Sequence, residues 1–275
     1  MLAASRGAGP QRVLELGAGT GIATRLLLQE AHRFGGLARY VAFDISDGML
    51  RHLRAVMLGT GAPGLVQQLR ERGLLAQDAE FAVERGAFDS FDAPGLHDLV
   101  AIAQAWHWCP DYDRALARIA AALRPGGVLA LLWNLEDRGA AAWVAHVRDA
   151  YEPYEDGAPQ YRHMAWKAMY DTPAFRTHFE PLEEVRIARV LPTTKEGVLQ
   201  RVSSKSYISV LDEATRSALL ARIGKMLDGE DAALERRWID HGAGVWEYPY
   251  QSGTWHGLRV SGLITQTWYC CGASK

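Results

Sequence analysis

The chain has 275 residues, 48% of them hydrophobic and 23% charged. At about 150 residues per domain this is one large or two modest domains; a chain of this size buries roughly three quarters of its unfolded surface, so wholesale disorder is excluded and no metal or disulfide is needed to hold it. Its 30 Lys and Arg against 32 Asp and Glu leave a net charge of −2, which argues against a surface built to grip nucleic-acid phosphates or an anionic membrane.

Cys109, Cys270 and Cys271 make no disulfide framework and no zinc spacing, which fits a reducing, cytoplasmic setting without a metal site. No apolar run reaches the roughly 18 residues of a membrane span, and MLAASRGAGPQRV lacks the apolar stretch of a secretory signal.

In chain order, Arg12–Leu16 (RVLEL) predicts a buried strand, followed by a glycine-rich turn, Gly17–Gly21. Ile22–His32 has helical periodicity, with Ile22, Leu26 and Leu27 on one face. Tyr40–Phe43 is a second strand ending in Asp44, and Ser46 or Asp47 is placed to cap the helix GMLRHLRAVML. Residues 60–64 (TGAPG) break that helix, and Leu65–Leu75 predicts another. Strands at Glu80–Glu84 and His97–Ala103, an amphipathic helix at Arg114–Leu123, a Pro125-Gly126-Gly127 turn and the apolar strand Val128–Trp133 continue the alternation. Such alternation predicts an α/β fold with a parallel sheet covered on both faces. The second half is less regular: a helix at Ala141–Tyr154, a strand at Leu182–Val190, a helix at Ser217–Leu227 and a candidate last strand at Gly244–Tyr248.

The chemistry concentrates at Val13-Leu14-Glu15-Leu16-Gly17-Ala18-Gly19-Thr20-Gly21, where a strand turns into a helix across three glycines. Glycine is needed where φ is positive or where a ligand touches the main chain, and this edge of an α/β sheet is where nucleotides bind. The dinucleotide fingerprint G-x-G-x-x-G is not met, because its sixth position is Ile22, and the Gly-Lys-Ser/Thr of a P-loop is absent.

E-L-G-A-G-T-G resembles motif I of class I S-adenosylmethionine-dependent methyltransferases. Ala103–Trp108 (AQAWHW), Leu123–Asn134 (LRPGGVLALLWN), Ser203–Ile208 (SSKSYI) and Tyr248–Leu258 (YPYQSGTWHGL) extend the resemblance to the methyltransferase type 11, trans-aconitate-methyltransferase-like subgroup, over roughly residues 12 to 258. It implies a Rossmann-like seven-stranded sheet in the order 3-2-1-4-5-7-6 with helices on both faces and a C-terminal helical cap, Val185–Val190 and Gly253–Val260 being candidates for the last two strands. The expected organisation is a cofactor-binding core at 1–138, a half completing the sheet and capping the substrate site at 139–262, and a poorly specified tail at 263–275. Relatives usually carry a further helical segment ahead of motif I; the expectation is that the few residues ahead of Arg12 do not supply it and leave the cofactor site open at that end.

The cofactor implied is S-adenosyl-L-methionine, held by Glu15, Gly17, Ala18, Gly19 and Gly21 of the turn, Asp44 with Ile45 after the second strand, Ala87 and Phe88 after the third, and Gln104 and Ala105 after the fourth. Asp44 is the expected ribose acceptor, with Asp47 as its competitor. Glu15 either reaches the cofactor's amino group or is a strand-end charge facing solvent. Of Trp106 and Trp108, one is expected to pack under the following helix, while the other could close over the methyl donor. His107 is the candidate catalytic base, because its ordinary pKa lies near neutrality, and the alternative is a packed core histidine. Arg201, Lys205 and Tyr207 are either an acidic-substrate site or, for the two cations, surface charge. Trp143, Tyr151, Tyr154, Tyr161, Trp166 and Tyr170 are expected to lid the crevice. The activity implied is methyl transfer to an O or N atom of a small-molecule acceptor, a carboxylate included, with neither nucleic acid nor membrane as partner. The alternatives are an NAD(P)-dependent oxidoreductase and a non-catalytic binding protein on the same fold.

Overall fold

The computed structural model describes residues 9–229 and 235–260; the expected tail at 263–275, with Cys270 and Cys271, lies outside them. Strands and helices alternate as β1 (Gln11–Leu16), α1 (Ile22–Gln29), β2 (Leu37–Asp44), α2 (Asp47–Leu58), α3 (Leu65–Glu71), β3 (Glu80–Arg85), β4 (His97–Ala103), α4 (Tyr112–Ala122) and β5 (Leu123–Glu136). There follow α5 (Ala142–Tyr151), α6 (Pro173–His178), β6 (Glu183–Thr193), α7 (Lys195–Ser203), α8 (Ser206–Ser209), α9 (Glu213–Asp228), β7 (Trp238–Asp240) and β8 (Val245–Leu258). The sheet runs β3-β2-β1-β4-β5-β8-β6, with β7 paired on β8. This is the expected methyltransferase order. The short β7 only raises the number of the strand that lies between β5 and β6.

The described residues divide into two compact units, one of 9–131, 166–183 and 255–260, the other of 132–165, 184–229 and 235–254. In the first, β1 pairs in parallel with β2 (Leu16 opposite Phe43) and with β4 (Leu14 opposite Val100). Its strands are buried on both faces, with Leu14, Ala42, Leu99 and Val100 all fully covered, as an apolar parallel sheet requires. The second unit has its own core, in which Trp143, Val147 and Tyr151 of α5 meet Val198 of α7, Ile223 of α9 and Trp246 of β8.

Local chemistry explains several element ends. The Ser46 hydroxyl accepts from Met49 N at 3.4 Å and starts α2; Asp111 accepts from Arg114 N at 3.0 Å and starts α4. The predicted Leu65–Leu75 helix stops at Glu71, because Gly73 N and Leu74 N turn back to the carbonyls of Arg70 and Leu69. Pro125-Gly126-Gly127 is not a turn. It lies inside β5, where Gly126 N donates to Arg259 O (2.9 Å) and Arg259 N donates to Gly127 O (2.8 Å). The two separate strand candidates at Gly244–Tyr248 and Gly253–Val260 merge into the single strand β8.

One face assignment is reversed. Ile22 and Leu26 of α1 are exposed, and Thr24 and Leu28 are its buried residues. The buried face carries Leu28 and Thr24, and the Thr24 hydroxyl donates to a carboxylate buried beneath it, satisfying that group.

Candidate cofactor and active site

Three chain turns converge in the first unit. Gly17 has φ +71, and a Cβ added there would sit 2.6 Å from Ala105 Cβ and 3.4 Å from Phe88 Cζ. The turns after β1, β3 and β4 thus touch at a point where only hydrogen fits. Gly21 is equally tight, with Leu53 Cδ1 2.4 Å from such a Cβ. Gly19 differs. It has φ +57, and an added Cβ would meet nothing within 4 Å, so the bare face of its backbone is turned to open space.

The turn's amides are largely spoken for. Ala18 N donates to Phe43 O (2.9 Å), Gly21 N to Ala18 O (3.0 Å) and Gly19 N to Asp44 Oδ2 (2.8 Å). Asp44 Oδ1 accepts from Ser46 N at 2.8 Å. One carboxylate therefore ties the glycine turn to the start of α2 and stands half-buried beside the open face of Gly19. Asp47, its competitor in the sequence, is exposed and pairs with Arg85. Ile45 is also exposed.

Glu15 is 1% exposed, so the solvent-facing reading does not hold. Its Oε2 accepts from Thr24 Oγ1 (2.6 Å) and Tyr40 OH (2.7 Å). Burial raises its pKa from 4.5 to about 7 against the pull of those two hydroxyls, and the Asp44 charge adds to the rise. Between these values the folded state holds a proton that the unfolded chain has lost. The resulting stabilisation is complete below about pH 4.5 and is lost as pH rises to about 7. Glu15→Gln is expected to flatten the pH dependence of urea unfolding across that window; an unchanged slope would show that another group titrates there.

Phe88 meets the edge of Trp106 (centroids 5.6 Å apart, 87°), and Ala87 O accepts from Ser90 N at 3.1 Å. Trp106 is fully buried; its Nε1 donates to Met169 Sδ at 2.9 Å and its ring tilts against Tyr112. It is the packed member of the Trp pair, while Trp108 is 44% exposed. Gln104 follows β4 exposed and with φ +57, a conformation that costs a non-glycine residue about 1 kcal/mol or more. Ala105 O accepts from Trp108 N (3.0 Å), closing the short turn that carries His107. Burial pushes the His107 imidazole down to about 4, so it is neutral at pH 7.

Two expectations for the second half are corrected. Arg201 and Lys205 are not surface charges. Arg201 Nε lies 2.8 Å and Lys205 Nζ 3.1 Å from Oε1 of Glu136, which is fully buried. Trp143 and Tyr151 belong to the second unit's core, Trp166 is buried in the first, and Tyr170 packs on Phe175. Tyr161 of that aromatic set lines a cleft in the second unit. Thr24, Tyr40 and Glu136 were absent from the expected site. The signal for the first two is an acid inside an apolar strand, which must find donors. Among the described residues no group of three or more His, Cys, Asp or Glu could hold a metal, and no helix is long and apolar enough to cross a membrane.

Residues 14–129 match the family model described as a methyltransferase domain. An uncharacterized methyltransferase of Mycobacterium tuberculosis is 30% identical over 220 residues, covering 80% of this chain and 74% of that protein. A malonyl-[acyl-carrier protein] O-methyltransferase of Methylococcus capsulatus is 36% identical over 121 residues, covering 44% of this chain and 36% of that one. Among solved structures, the YcgJ protein from Bacillus subtilis superposes with a TM-score of 0.51 at 15% identity, over 95% of this chain and 97% of that one, a likeness of fold. With the sheet order and the glycine turn already described, these matches place the chain: it belongs to the class I S-adenosylmethionine-dependent methyltransferases.

Proposed function

We propose that the chain uses S-adenosylmethionine to methylate an oxygen or nitrogen of a small-molecule acceptor. The observation that carries this reading is the state of the glycine turn. A pyrophosphate at a helix N-terminus needs unspent amide donors and no negative charge beside them. Here three amides of the turn are taken by protein acceptors, and the acceptor of Gly19 N is the Asp44 carboxylate itself. That arrangement suits a ligand offering hydroxyl donors and no phosphate, and it speaks against the dinucleotide alternative.

When bound, S-adenosylmethionine supplies a methyl carbon activated by a positively charged sulfur. Asp44, already oriented by Gly19 and Ser46, would accept from the ribose hydroxyls, for each of its oxygens has a second lone pair. Gly19 gives close main-chain access, and Phe88, backed by Trp106, offers a ring for the adenine. Positioning of an acceptor about 3 Å from the methyl group can supply much of the rate. His107 is too weak a base at about 4 to strip a proton from an unactivated alcohol or amine at pH 7. An acceptor that is already ionised, such as a carboxylate, asks least of it. The O-methyltransferase named among the relatives favours an oxygen acceptor.

Asp44→Ala is expected to weaken S-adenosylmethionine binding about tenfold to hundredfold, the worth of one or two charge-assisted hydrogen bonds. Isothermal titration of the purified variant measures this. An affinity equal to that of the unaltered chain would remove Asp44 from the site. Incubation with the methyl donor and panels of small acids, phenols and amines, read by mass, identifies the acceptor class; cofactor binding without any product would instead favour a non-catalytic binding protein.

A further inference from the structure

The second unit contains an opening that plays no part in the reading above. It is a cleft of about 280 Å³ whose walls carry four arginines, Arg138, Arg148, Arg162 and Arg186. Two carboxylates also line it, and both are already compensated. Glu136 accepts from Arg201 and Lys205, while Asp137 Oδ1 accepts from the amides of Gly139 (2.9 Å) and Ala140 (3.2 Å). The Tyr161 ring on the same wall is stacked on Trp133, with centroids 4.9 Å apart.

The guanidiniums are braced by acids that do not line the cleft. Arg148 Nη2 lies 2.6 Å from Glu152 and Arg162 Nη2 2.5 Å from Glu155. Arg138 uses its two terminal nitrogens on Asp149 and Glu152, which leaves its Nε–H. Arg186 gives Glu184 its Nε–H and makes no other hydrogen bond among the described residues, so both terminal amino groups keep their donors. The Arg138 and Arg186 side chains are 46% and 55% exposed and thus reachable. A guanidinium with two terminal amino groups in one plane matches the spacing of two oxygens on a carboxylate or phosphate.

We propose that this cleft binds a small oxyanion, a carboxylate or a phosphate, through Arg186 and Arg138, with Arg162 and Arg148 completing the positive wall. The site is distinct in its residues from the glycine turn and needs no methyl donor to fill. Isothermal titration of the full chain at low salt, with citrate in one arm and inorganic phosphate in the other, tests it and tells the two chemistries apart. Saturable binding of at least one probe is expected. Arg138→Ala with Arg186→Ala together should weaken it about tenfold or more, whereas Arg33→Ala, which removes one positive charge elsewhere, should leave it unchanged. If the double variant does not fold by circular dichroism, Arg186→Lys keeps the charge, loses the planar fork and should still weaken binding several-fold. Absence of saturable binding to either probe, or an affinity that falls equally in Arg33→Ala, would overturn the proposal. Because S-adenosylmethionine is left out, the result stands whether or not the methyltransferase reading holds.

Discussion

Gly17→Ala is expected to destabilise the chain by about 3 kcal/mol, whereas Gly19→Ala, two residues away, should cost only about 1 kcal/mol and yet remove cofactor binding. Both positions have positive φ, so a methyl group strains the backbone at each. The difference is what the methyl group meets. At Gly17 it lies 2.6 Å from Ala105 Cβ, with Phe88 already in contact on another side, so the turns after β1 and β4 must move apart. At Gly19 it points into open space, where it harms nothing in the fold and occupies the face a cofactor would approach. Urea unfolding and S-adenosylmethionine titration of the two variants separate the effects. Equal losses of stability would mean that packing at Gly17 is looser than the structure gives.

The second large effect is expected at Glu136. Glu136→Ala should destabilise the chain by roughly 3 kcal/mol, because it leaves the Lys205 ammonium, 10% exposed, without its counter-charge, while the Arg201 guanidinium, on a side chain 35% exposed, is screened by solvent and adds less. Burial by itself pushes the Glu136 carboxyl up, but Lys205 and Arg201 outweigh it and hold the pKa at about 2, below the ordinary 4.5. The stabilisation is therefore fully present above about pH 4.5 and is lost as pH falls toward 2, the opposite sense to Glu15. Guanidinium unfolding at pH 7 measures the loss on substitution, and acid unfolding of the unaltered chain shows the pH limb. A Glu136→Ala loss below about 1 kcal/mol would place the trio in a solvated setting instead.

The two carboxylates show how much of this molecule the sequence exposes. The glycine turn, Asp44 and the capping residue Ser46 are legible because each acts on backbone a few residues away or at the end of the next strand. The sheet order follows from the family motifs, and the structure has it. What escapes is any role fixed by a distant partner. Arg201 and Lys205 read as surface charge or an acidic-substrate site because Glu136 lies 65 and 69 residues before them. Pro125-Gly126-Gly127 reads as a turn because its strand partner is Arg259. Ile22, Leu26 and Leu27 read as the apolar face of α1, but the face that is buried carries Leu28 and Thr24, whose hydroxyl meets Glu15. The aromatic run from Trp143 to Tyr170 reads as a substrate lid, and composition alone does not separate rings that fill a core from rings that line an opening.

The turn at Gly17–Gly21, with Asp44 fastened to Gly19 N, is expected to hold S-adenosylmethionine and not a dinucleotide. The most direct test is isothermal titration of the unaltered full chain with S-adenosylmethionine and, in parallel, with NAD⁺ and NADP⁺. The account predicts saturable one-to-one binding of S-adenosylmethionine and none of the pyridine nucleotides. Binding of a pyridine nucleotide with no response to S-adenosylmethionine would contradict it.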